Sequence, residues 1–119
     1  MSTQFFDLGA GLNVGATWNK VPPPELRPGM RGVLKVDGTF VAAPDPLRLR
    51  DIEIRIGACG LDTVNLRRHG LVMVVDDMGA KRETPINPAA TALYHAVCIP
   101  GTTWPVRGDV FICPDEDFA

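Results

Sequence analysis

The chain has 119 residues, 45% of them hydrophobic and 22% charged, and a net charge of −2, which suits one domain able to bury a core without metals or disulfides. This balance lacks the basic excess of a nucleic-acid binder, and no stretch approaches the ~18 consecutive apolar residues of a membrane helix. Twelve glycines and eleven prolines imply short elements joined by many turns.

The first residues, Met1 to Asp7, carry no positive cluster and no apolar run, so no signal peptide is expected. Cys59, Cys98 and Cys113 form an odd, widely spaced set. Free thiols in a reducing, cytoplasmic setting are the expectation. Residues 1–29 combine Gly9, Gly11, Gly15 and Pro22-Pro23-Pro24 with Phe5, Phe6, Leu12, Val14 and Trp18. That is too aromatic for a solvated tail and predicts an N-terminal arm packed on its own domain or on a partner. Pro28-Gly29 marks the entry to a single compact domain over 30–119.

Two apolar runs, 33–36 and 39–42, flank Asp37-Gly38, the signature of a hairpin with a two-residue type I′ loop. Over 46–57, Ile52, Ile54 and Ile56 alternate with Glu53 and Arg55, which favours a strand slightly. Leu49, Ile52, Glu53 and Ile56 also fit a helix, with Asp45-Pro46 as its start. Residues 61–66 and 71–75 read as two strands. The second is apolar throughout, so it is predicted to be central and covered on both faces. Asp76-Asp77-Met78-Gly79 ends it as a turn. Asn87-Pro88 opens a helix, because asparagine caps the first amides and proline suits the first helical position. Ala89, Ala92, Leu93 and Ala96 form its expected apolar face. Residues 106–113, interrupted by Gly108-Asp109, give a last strand, and Asp115-Glu116-Asp117 an acidic tail. The resulting expectation is an α+β fold: a small, mostly antiparallel sheet of about five strands with two short helices.

Three stretches, 70–79, 84–94 and 106–110, resemble a family of small domains of unknown function frequent in bacteriophages and other mobile elements. The likeness lies in the apolar strand ending in an acidic turn, the Pro-x-Asn-x-x-Ala helix start at Pro85, Asn87 and Ala90 followed by Leu93-Tyr94, and the closing Gly108-Asp109 strand. It extends over roughly residues 30–113, with Ala58-Cys59 standing where the family has a second glycine. The resemblance implies a helix over 47–57 and a phage or mobile-element accessory protein acting in a bacterial cytoplasm. It brings no catalytic residues and no cofactor.

The remaining candidates are weighed by their chemistry. His95 and Cys98 supply one close ligand pair where structural zinc sites show two, so no metal or other cofactor is expected. Cys59 and His69 flank one strand at a spacing that would bring them together only by accident, and Asp76-Asp77 reads as a solvated turn rather than a magnesium pair. With no catalytic set, a non-enzymatic protein-binding module that modulates a host process or defence system is the leading expectation. Its partner would be a host or phage protein, and homo-oligomers are compatible with its edge strands. The alternatives are a nucleic-acid-binding accessory factor and a minor virion protein. Candidate contact residues are Trp18, Trp104, Arg67 and Arg68. A loop tryptophan such as Trp104 more often folds back on its own core than serves an interface. Asp37, Gly38, Asn87, Pro88, Tyr94, Gly108 and Asp109 are assigned to turns, caps and packing.

Overall fold

The apolar run 71–75 becomes the strand β4 (Leu71–Asp76) in the computed structural model, which describes residues 21–118. Its side chains alternate between two cores. Leu71 and Met73 enter one cluster and Val72 and Val74 the other. The neighbouring strand β5 (Val110–Pro114) divides likewise, with Val110 and Ile112 on one face and Phe111 and Cys113 on the opposite one. Strands buried on both faces need no polar alternation, which is why these runs are continuously apolar.

β1 (Gly32–Leu34), β2 (Phe40–Ala42) and β3 (Leu61–Asn65) complete an antiparallel sheet in the order β2-β1-β5-β4-β3. Helix α1 (Leu49–Ile56) covers one face through Ile52 and Ile56, and helix α2 (Pro88–Val97) covers the other through Ala89, Ala90 and Leu93. The fold is therefore α+β, with five antiparallel strands between two helices. No helix among the described residues is long and apolar enough to cross a membrane.

Several local readings change. The β1–β2 loop has three residues rather than two. Gly38 N–H donates to the Lys35 carbonyl at 2.9 Å and Lys35 N–H to that of Thr39 at 2.8 Å. Only Gly38 takes positive φ, at 92°, whereas a type I′ loop needs it at both central residues. Asp37 instead accepts the amide and hydroxyl of Thr39.

Residues 49–56 are helical because Ile52 and Ile56 lie one turn apart and reach the sheet together. Ile54 is left 66% exposed, so the alternating pattern conceals a two-residue helical contact. Gly57, at φ 66°, ends this helix: its own N–H reaches the Ile54 carbonyl and that of Ala58 the Glu53 carbonyl. The helix begins after Arg48, not at Asp45-Pro46.

α2 starts at Asn87-Pro88 as expected, but its buried face is Ala89, Ala90, Thr91 and Leu93, and Ala96 is exposed. The last strand is shorter than 106–113 suggested, because residues 106–109 serve connections. Arg107 makes an isolated bridge with Ile86, and Asp109 Oδ1 accepts the Val36 amide at 2.9 Å.

The acidic segment is not a free tail. It forms a 3-10 turn, Asp115–Phe118, in which the carboxylate of Asp117 receives both Nε and Nη2 of Arg31 at 2.7 Å.

Asn87 joins these layers. Its Oδ1 accepts the Ala90 amide, and its Nδ2 donates to the carbonyls of Leu34 at 3.1 Å and Gly108 at 3.0 Å. Thr91 accepts the Val106 amide at 2.9 Å and donates to the Asn87 carbonyl at 2.8 Å. Together they fix the chain ahead of β5, and with it the loop that carries Trp104.

Candidate functional site

The connection between α2 and β5 presents two large apolar side chains to solvent, Ile99 at 82% and Trp104 at 71% exposure. Prolines and a tight turn hold this loop: Thr102 N–H and hydroxyl both donate to the Ile99 carbonyl. His95, in the last turn of α2, gives Nε2–H to the Trp104 carbonyl at 2.7 Å. The indole thus projects from a tethered backbone. The expectation that Trp104 folds onto its own core is not met.

Trp104 lies at the mouth of a cleft of about 350 Å³ whose lining also includes Tyr94, Asp62, Val64, Asp77 and Arg107. The register explains why residues so distant in sequence meet. Asp62 stands opposite Val75 and Val64 opposite Met73. Cross-strand partners share a face, so Asp62 and Val64 lie on the α2 side of the sheet. Tyr94 packs against the same core. A hydrogen bond with Cys98, then burial, holds its phenol above the ordinary range.

The two acidic residues at the end of β4, Asp76 and Asp77, both line the cleft but have different fates. Asp76 is not solvated: only 4% of its side chain is exposed, and it accepts the amides of Cys59 and Met78 and pairs with Arg82 at 2.7 Å. Asp77 is exposed and faces the cleft. Arg107 directs Nη1 to the Thr84 carbonyl at 2.9 Å. Asp62 and Asp77 therefore outnumber Arg107 along the lining, and the cleft pairs aromatic surface with an excess of carboxylate.

Arg67 and Arg68 sit elsewhere, in the β3–β4 loop. They border a second cleft of about 600 Å³, shared with Pro23, Leu26, Leu93 and Val97. Arg67 takes positive φ and gives its amide to Asn65 Oδ1. The structure does not bring these arginines to Trp104. Trp18 lies outside the described residues, as does most of the expected N-terminal arm.

The other reactive side chains are dispersed. Cys59 and His69 stand before and after β3, at its opposite ends. Cys113 is buried on the α1 face, away from His95 in the last turn of α2 and Cys98 just after it. Burial, then Asp117, pushes the Cys113 thiol up to about 12. No group of three or more potential metal ligands occurs among the described residues.

Sequence reasoning singled out Trp104 but missed Asp62 and Asp77 as parts of the same cleft lining and Ile99 as an exposed residue of the same loop. Ile99 was visible as an apolar residue beside Pro100-Gly101; the carboxylates carried no local signal. No protein-family model, no curated protein and no solved structure matches the chain.

Proposed function

We propose that the chain is a non-enzymatic protein-binding module whose contact surface centres on Trp104 and the cleft behind it. The observation that carries this reading is the 71% exposure of an indole on a tethered loop that carries a second exposed apolar side chain, Ile99. Large apolar groups held in water contribute nothing to folding, and tryptophan is enriched where interfaces concentrate their energy. The likeness to phage and mobile-element domains adds a setting: an accessory protein in a bacterial cytoplasm that modulates a host process or defence system.

A nucleic-acid role is the weaker reading, since the carboxylates around the cleft repel phosphate. Affinity capture from bacterial lysate tests the proposal, with the parent chain compared against Trp104→Ala. A protein retained by the parent at stoichiometric level and lost from the variant supports it. Equal retention by both chains, or capture of nucleic acid alone, removes it.

A further inference from the structure

Beside the cleft runs β3, which has no strand on its outer side among the described residues. Its unpaired edge can be read atom by atom. Asp77 N–H donates to the Gly60 carbonyl and Leu66 N–H to the Leu71 carbonyl, so the hydrogen-bonded positions toward β4 are 60, 62, 64 and 66. The backbone groups of Leu61, Thr63 and Asn65 therefore point outward, and Asp62, Thr63 and Asn65 are exposed. One of these outward amides is occupied: Asp62 Oδ1 accepts the Thr63 N–H at 2.8 Å. The carboxylate that guards the edge is also a wall of the cleft.

Building on the protein-binding reading, we infer that β3 accepts an extended peptide segment as a sixth strand, with a lysine or arginine of that segment entering the cleft between Trp104 and Tyr94. Exposed edges are templates for strand addition, and alternate side chains of the added strand supply specificity. Two features select a cation. Asp62 and Asp77 outnumber Arg107 along the lining, and indole and phenol faces attract cations. The guard explains the coupling. An incoming cation draws the Asp62 carboxylate off the Thr63 amide, and the freed amide then bonds to the added strand. An uncharged segment must displace the guard without that compensation. A second copy of the chain is the poorer occupant, because it brings an equal set of carboxylates.

The test uses the whole chain and a short capped peptide of alternating threonine and valine with a central lysine, beside the same peptide carrying norleucine. Amide shifts in a 15N spectrum report the site. The lysine peptide should shift Leu61, Thr63 and Asn65 and bind about tenfold tighter than the norleucine peptide. In Asp62→Ala that preference should shrink toward equality. N-methylation of the peptide amides facing β3 should abolish binding, while methylation of the alternate amides should leave it intact. This arm leaves the protein unaltered, so it does not depend on variant folding.

Equal binding of the two peptides overturns the inference, as do no binding at about millimolar peptide, shifts confined to residues 66–69 and 93–98, or a peptide-free chain that sediments as a dimer through this edge. Thr63→Pro separates this inference from the reading beneath it, because it removes an outward amide at an edge, where proline is tolerated. If a captured partner is lost with Trp104→Ala but kept with Thr63→Pro, strand addition fails and protein binding stands.

Discussion

His95 Nε2–H reaches the carbonyl of Trp104 at 2.7 Å, which ties the loop bearing this exposed indole to the last turn of α2. The bond is to backbone, so it positions the loop and leaves the indole unpaired with the core. Trp104→Ala should therefore leave stability within about 0.5 kcal/mol of the parent, as expected for an exposed position. A urea denaturation series checks this. A loss of about 2 kcal/mol or more would show that the ring packs on its own domain and would recast the exposed-indole argument.

Asn87 predicts the opposite behaviour. It is fully buried, caps α2 and donates to the carbonyls of Leu34 and Gly108. Asn87→Ala removes a cap, at about 1 kcal/mol, and strands two carbonyls whose desolvation costs about 1–3 kcal/mol. The same denaturation series should show a total loss of about 3 kcal/mol. A loss under about 1 kcal/mol would contradict the role of Asn87 as the joint between β1, α2 and the approach to β5.

The pair Arg31–Asp117 closes the C-terminal turn onto the start of β1, with side-chain exposures of 16% and 5%. Arg31 Nη1 also reaches the Pro44 carbonyl at 3.3 Å, so one guanidinium holds three segments. Asp117→Asn keeps the shape but removes the charge, and should cost about 2 kcal/mol. A midpoint unchanged from the parent would reduce the pair to an incidental contact.

Cys113 sets a prediction in pH. Its folded thiol lies at about 12 against an ordinary 9.0, raised first by burial and then by Asp117. Between these values the unfolded chain releases the proton and the folded chain keeps it. The stabilisation is fully present below about pH 9 and is lost as pH climbs toward 12. Tyr94 is raised as well, chiefly by its hydrogen bond with Cys98, and acts in the same direction. Unfolding midpoints should fall over this window, and Cys113→Ala should flatten the fall without abolishing it. Thiol labelling at neutral pH should modify exposed Cys59 and spare Cys113 until the chain unfolds.

Gly32 has no room for a side chain. A Cβ there would strike the Val41 carbonyl and come within 2.7 Å of the Phe40 ring and 2.8 Å of Ala42 Cα. Gly32→Ala should cost about 1–3 kcal/mol through forced displacement of β2, readable as a lowered thermal midpoint. Unchanged stability would mean that this edge of the sheet yields freely.

These residues divide by how far their partners lie along the chain. The Asn87-Pro88 helix start was legible because a cap and its amide are three residues apart. The apolar run of β4 was legible because burial on both faces shows within one strand. The 49–56 helix was harder, since Ile52, Ile54 and Ile56 satisfy two periods at once and only Ile52 and Ile56 find the sheet. The cleft was not legible. Asp62, Tyr94 and Trp104 converge through the β3–β4 register and the placement of α2, neither of which any local spacing encodes. Arg31 and Asp117, 86 residues apart, were beyond reach for the same reason.

Photo-crosslinking tests whether Trp104 lies in a protein contact. p-Benzoylphenylalanine is placed at Trp104, and in a control chain at Ile54, which is 66% exposed on α1. Both chains are irradiated in bacterial cells. A discrete protein adduct is expected from position 104 and none from position 54. An adduct from position 54 with none from position 104 would contradict that expectation and move the contact surface to the α1 face.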